Sequence, residues 1–273
     1  MASPGHIAAL VAKQKHDFED VTLIINNVKD RAESEAMAVE CRRRGDISRY
    51  VFVEDHLDEA LATTGFRKKD FGRFLHWSDV CLVGTTITGP PVLLWWDDES
   101  ELVQNDLWIP TSIELLRDDP SIFCASPLWG EAGSPQDTAE LETDRRQGEF
   151  LIGYGFTDVC FLALRDALSS RIRTFVPWWI RSPVSARYPI RHTLCYEQAV
   201  DVHMRSAKLM RAVSTRARMV ARGDPASPDR YRAYGLKETV AVKRSSLLLR
   251  ASDRLSARTA NPRVRRAGLM LKN

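Results

Sequence analysis

The sequence predicts an α/β fold: a mainly parallel sheet with helices on both faces, followed by a basic helical C-terminal extension. Three observations carry this. Short, β-rich apolar runs alternate with segments of helix-forming pattern, the order that builds parallel sheets covered on both faces. The 273 residues are 44% apolar, enough for a substantial core, and 14 Gly with 13 Pro exclude a fibrous or low-complexity chain. Charge is also divided along the chain. Residues 1–203 hold 21 Lys and Arg against 32 Asp and Glu, whereas residues 204–273 hold 18 against 4. The formal net charge of +3 is therefore an acidic body of −11 joined to a basic segment of +14, read here as a domain (1–203) and its extension (204–273).

The elements follow in order. VTLIINNV (Val21–Val28) is a β-rich apolar run that predicts a buried strand. KDRAESEAMAVECRRRGD then predicts a helix, with acids early, arginines late and Gly45 as the stop. RYVFVEDH (Arg49–His56) predicts a second strand ending in acids, and DFGRFLHWSDVCLVG (Asp70–Gly84) a helix. Gly89-Pro90-Pro91 breaks the chain, and PVLLWWDDES predicts a third strand running into Asp97, Asp98 and Glu99. A helix around Trp108–Arg117 leads to the strand SIFCASPL (Ser121–Leu128). Residues 130–149 are polar and predict a loop. GYGFTDVCFLALRDAL (Gly153–Leu168) predicts a turn and then a helix opened by Asp158, with Phe161, Leu162, Leu164 and Leu168 on its apolar face. Cys195 to Arg222 reads as one long helix stopped by Gly223, followed by the linker GDPASPDRYRAYG and a basic end with the short apolar stripe Leu247–Leu249.

Composition narrows the setting. The five cysteines, Cys41, Cys81, Cys124, Cys160 and Cys195, are 35 to 43 residues apart, with no close pair of the kind zinc sites use. An odd count without a secretory signal predicts a reducing, cytoplasmic compartment, where thiols in apolar stretches act as small hydrophobes. The longest uncharged run, Val80 to Trp96, is 17 residues and holds Gly84, Gly89, Pro90 and Pro91, too short and broken to span a bilayer.

Two features carry chemistry. Ligands of open α/β sheets bind beyond the carboxyl ends of strands, and two of the first three strands end there in acids: Glu54 and Asp55, then Asp97, Asp98 and Glu99. Crowded carboxylates resist ionisation unless a cation neutralises them, and oxygen ligands suit Mg²⁺ or Mn²⁺. The plain alternative is an acidic turn or a helix N-terminus. In the second feature, two glycines around Tyr154 allow a close backbone turn. Asp158 after it is either a helix cap or a general base.

In this order and spacing, the features resemble the GT-A class of nucleotide-sugar-dependent glycosyltransferases, whose domain is Rossmann-like, over roughly residues 20–195. VTLIINNV looks like the family's first nucleotide-binding strand and RYVFVEDH like its second. LLWWDDES looks like the strand carrying Asp-x-Asp, and GYGFTD like the Gly-aromatic-Gly-Phe-x-Asp segment of many inverting members. The resemblance implies that Asn26 and Asn27 begin the loop around the nucleotide and that Glu54 or Asp55 accepts a hydrogen bond from the base. It implies that Asp97 and Glu99 hold the outer Asp-x-Asp positions, touching ribose and a Mn²⁺ or Mg²⁺ that bridges the diphosphate. Since the third position here is Glu, Asp98 and Glu99 are alternative ligands. Asp158 would deprotonate the acceptor hydroxyl as it attacks the anomeric carbon. His192, and after it His203, are matched to the histidine ligand that many members add, against the plain reading of a surface or capping histidine. The donor would be a UDP-sugar or another sugar nucleotide.

The acceptor is read from charge. A segment as basic as 204–273 attracts polyanions by releasing condensed counterions. It lacks the large apolar face of an interfacial helix, which favours DNA carrying a hydroxymethylated base over a lipid-linked or cell-surface glycan at an anionic membrane. A docking or oligomerisation helix is a further reading. So, from another class, is a non-enzymatic nucleic-acid-binding protein with structural acidic turns. Trp108, Trp129, Trp178 and Trp179 could line an acceptor groove or simply pack in the core.

Overall fold

The structure, a computed structural model, describes residues 5–97, 100–130, 143–168 and 195–221. After a short helix α1 (His6–Lys13), strand β1 (Thr22–Ile25) pairs in parallel with β2 (Arg49–Phe52), from Thr22 opposite Arg49 to Ile25 opposite Phe52. Between them runs α2 (Arg31–Arg44). Its cap is the Asp30 carboxylate, which accepts from the Glu33 N–H, and Gly45 ends it in the left-handed region at φ 81°. After β2 the chain turns directly into α3 (Val53–Thr64), with Glu54 and Asp55 in the first turn, where acids favour the helix dipole. The sequence assigned those acids to the end of the strand; they open the helix instead.

The expected helix at 70–84 is divided. A four-residue turn α4 (Lys68–Phe71) and a 3₁₀ turn at Gly72–Phe74 lead into α5 (Leu75–Thr86). Then come β3 (Val92–Trp96), β4 (Ser100–Asn105), α6 (Trp108–Asp118) and β5 (Ile122–Trp129).

From here the structure departs from the sequence reading. β6 (Thr143–Gln147) and β7 (Phe150–Gly153) form a hairpin, with Gly148 at φ 56° in its tight turn, so part of the expected 130–149 loop is a charged edge strand. The segment after Asp158 is not a helix but β8 (Cys160–Leu164), with the single turn α7 (Arg165–Leu168) behind it. Four consecutive residues of β8 are buried, the state of a central strand covered on both faces. The expected long helix from Cys195 stops early. α8 (Tyr196–Ala207) ends at Lys208, which takes the left-handed conformation at φ 59°, and β9 (Met210–Ala221) follows as the longest strand described. Residues from 222 onward, with the linker and the apolar stripe at Leu247–Leu249, lie outside the described residues, as do 131–142 and 169–194.

The larger sheet has the order β3-β8-β5-β9-β7-β6, with β4 also paired to β9. Only β5–β9 is parallel within it; β3–β8, β8–β5, β9–β7, β7–β6 and β4–β9 are antiparallel. The fold is thus mixed α/β, and the expectation of a mainly parallel sheet is corrected. The physical reason is that β4, β6, β7, β8 and β9 add strands where the sequence predicts none, and the short connection between β6 and β7 permits only antiparallel pairing. Helices cover both faces. Phe161 and Ala163 of β8 face one core with Leu82, Phe71 and Tyr196, and Cys160 and Leu162 face the other with Trp108, Ile109 and Ile152. All five cysteines are free thiols, three of them buried. Among the described residues, no helix is long and apolar enough to cross a membrane.

Candidate functional site

Helix α5 decides which ends of the strands come together. At its C-terminal side, Arg49 at the start of β2 donates to the Thr88 carbonyl at 2.5 Å, just before β3 begins. At its N-terminal side, the loop leaving β1 is tied down by two amides. Asn26 Nδ2 donates to Asp79 Oδ1 at 2.6 Å, and Asn27 Nδ2 donates to the His76 carbonyl at 3.2 Å. Asn27 itself takes a left-handed conformation, φ 52°, and its N–H donates to Asn26 Oδ1. The start of β2 thus lies against the chain entering β3, and the carboxyl end of β1 lies against the first turn of α5. Burial of Asp79 beneath this loop pushes its carboxyl above the ordinary range.

At the end of β3 the two acidic features meet. The Asp97 N–H, directly after β3, donates to the Val159 carbonyl at 2.8 Å. Trp95 Nε1 donates to the Asp158 carbonyl at 2.6 Å. Trp95 pairs with Phe161 and Trp96 with Cys160 across β3 and β8, so strand register sets Asp97 beside the residues that precede β8. Asp158 is followed by a strand, which removes its reading as a helix cap. Burial raises its carboxyl to about 6, and the nearby charge of Asp97 pushes it the same way.

Behind Asp158 stands α8. The Tyr196 N–H donates to Ser78 Oγ at 3.0 Å, and the Tyr196 hydroxyl shares a 2.9 Å hydrogen bond with Thr85, so α8 is also docked on α5. Phe156 of GYGFTD packs on Phe161 and edge-on to Tyr196. Arg205 Nε donates to both oxygens of Asp201 at 2.9 Å, and its guanidinium lies over the Tyr154 ring at 5.2 Å. The glycine-aromatic-glycine turn is thus held by a buried ion pair. Glu197, in the first turn of α8, is raised well above the usual range by burial and then by the charge of Asp158. Sequence reading missed Glu197, Asp201, Arg205, Ser78, Asp79 and Trp95. The one legible signal was the i, i+4 spacing of Asp201 and Arg205.

The other expected residues are dispersed. Glu54 and Asp55 both hold Arg31 of α2, whose guanidinium lies 4.0 Å from the Phe52 ring centre. This bonding holds Asp55 below the usual carboxylate range. Asp98, Glu99, His192, Trp178 and Trp179 lie outside the described residues. His203, in the middle of α8, packs edge-on to Phe123 of β5 at 6.1 Å. Trp108 is fully buried in the core under α6, which removes it from any groove, and Trp129 packs against the same core. Among the described residues, no group of three or more His, Cys, Asp or Glu is arranged to hold a metal. An open hollow of about 620 Å³, lined by Asp20, Arg49 and Thr88 among others, lies at the opposite end of β2 and β3.

Fold and site together define a mixed α/β protein in which Asp97, at the end of β3, lies beside Asp158, ahead of β8. Compared with known proteins, the chain matches no protein-family model and no curated sequence.

Proposed function

We propose that this protein is a metal-dependent, GT-A-type glycosyltransferase that moves a sugar from a nucleotide-sugar, a UDP-sugar before others, to an acceptor hydroxyl with inversion. One observation carries the reading: Asp97 and Asp158, 61 positions apart in the sequence, meet at one rim, where strand register and a backbone hydrogen bond hold them together. Asp158 is the general base. Its raised carboxyl is a stronger base than an ordinary aspartate, so it takes the acceptor proton while the hydroxyl oxygen attacks the anomeric carbon. The bond from that carbon to the diphosphate breaks, and the nucleoside diphosphate leaves. Carboxylate oxygens are the donors that suit Mn²⁺ or Mg²⁺. Asp97, with Asp98 or Glu99, would hold the ion, and its chemistry there is to offset charge on the leaving diphosphate. Asn26 and Asn27 shape the wall of the nucleotide site.

The acceptor we favour is a hydroxymethylated base in DNA, drawn by residues 222–273, where 13 Lys and Arg stand against 4 Asp and Glu. Transfer to a base requires that base to be exposed from the duplex. The test is a panel of sugar nucleotides with Mn²⁺, read by mass spectrometry on hydroxymethylated and unmodified DNA. Asp97→Asn and Asp158→Asn should each abolish transfer in a folded protein. If wild type transfers no sugar from any common nucleotide-sugar, the enzyme reading fails. DNA affinity that survives both substitutions would then point to a binding protein.

A further inference from the structure

We propose that Trp77 is the platform on which the base of the nucleoside diphosphate stacks, with Asn27 at the edge of the ring. This deepens the donor reading above and rests on it. Trp77 is 61% exposed, the most open large apolar side chain among the described residues. It is nonetheless ordered by its neighbours: Phe74 lies 5.3 Å away, centre to centre, at 33°, and His76 lies 4.4 Å away at 43°. Three rings are thus assembled on the surface at the start of α5 without being buried.

The place of this group gives it meaning. His76, one peptide before Trp77, accepts from Asn27, and Asp79, two residues after it, accepts from Asn26. The indole therefore belongs to the same helical turn that holds the loop leaving β1, the loop read above as the wall of the nucleotide site. A flat aromatic face next to amide groups matches a nucleobase, which offers a π-face for stacking and a polar edge for hydrogen bonds. No Lys or Arg stands between Leu75 and Thr86 to take a phosphate, so the neutral base is the part of the nucleotide that this turn takes directly. A protein partner would need a broader apolar surface, and no other exposed large apolar side chain lies on α5 among the described residues.

The test is calorimetric titration of the full chain with UDP, UMP and inorganic pyrophosphate, each with Mn²⁺, for wild type, Trp77→Ala and Trp77→Phe. Loss of one base stack weakens binding about 10- to 100-fold. Trp77→Ala should show that loss for UDP and UMP and none for pyrophosphate, whereas Trp77→Phe should recover most of the affinity. Unchanged UDP binding in Trp77→Ala overturns the platform and leaves the donor reading intact. An equal loss for pyrophosphate also overturns it, because the effect would not lie on the base. If wild type binds no nucleoside diphosphate at all, both fall. If Trp77→Ala instead weakens only single-stranded DNA, the ring belongs to the acceptor and the donor platform is wrong.

Discussion

Replacing Gly84 with alanine probes the device that places Asp158. Gly84 lies in the last turn of α5, where the Trp95 ring lies against its backbone. A Cβ there would sit 2.8 Å from Cε3 of Trp95 and closer still to Cζ3, against 3.4 Å for ordinary contact. The ring must therefore retreat by at least 0.6 Å at Cε3. It cannot do so freely, because Trp95 is 8% exposed and its Nε1 is bonded to the Asp158 carbonyl. Overpacking of this kind costs about 1–3 kcal/mol, and the strained or lost hydrogen bond about 1 kcal/mol more. The better helix propensity of alanine returns about 1 kcal/mol. The expected net loss is about 1–3 kcal/mol, read as a lower urea midpoint at unchanged slope. Trp95→Val in the same background should remove the clash, so the double mutant is less destabilised than the two single effects added. A Gly84→Ala protein as stable as wild type, or strict additivity with Trp95→Val, would refute the argument that this contact fixes the Asp158 segment.

Three further outcomes are expected. Asp201→Ala removes the carboxylate that accepts from Arg205, whose side chain is 1% exposed, and should cost about 3–5 kcal/mol by chemical denaturation, with Asp201→Asn closer to wild type. Because the Asp158 carboxyl is raised in the fold from 3.8 to about 6, the folded state holds its proton more tightly. Its contribution to stability is therefore full below pH 3.8 and is lost as pH rises to about 6, a dependence that Asp158→Asn should flatten in pH-resolved unfolding curves, while transfer activity rises through about pH 6. Deleting residues 222–273 should weaken binding to duplex DNA and shallow its salt dependence, measured by titration at several salt concentrations; affinity and slope equal to those of the full chain would eliminate the proposed role of that segment.

The parts of the fold that were legible in the sequence are those set by signals a few residues long. Asp30 and Gly45 bracket α2 because one offers a carboxylate to a free N–H and the other adopts positive φ without strain. β1, β3, β5 and α6 appear where unbroken apolar runs or turn residues announce them. β8 was misread because CFLAL followed by Arg-Asp-Ala-Leu satisfies a helical spacing as well as a buried strand, and periodicity alone does not separate the two. The end of α8 was misread because Lys208, rather than a glycine, takes the left-handed conformation. The alternation Arg216, Ala217, Arg218, Met219 was the available clue to β9, with Ala217 and Met219 buried and the two arginines more open.

By itself the sequence determined that this chain is an acidic α/β body with a basic end, and that carboxylates cluster at Asp97 and follow a glycine-aromatic-glycine turn at Asp158. These are matters of composition and local chemistry. Only the tertiary structure decided that the sheet is mixed, that Asp97 lies beside the Asp158 segment, that Trp95 bonds the Asp158 carbonyl and that Arg205 lies over Tyr154. Such features depend on strand register and on contacts between residues tens of positions apart. Local propensity does not encode them, because each forms only when burial of the whole core selects one pairing over the others.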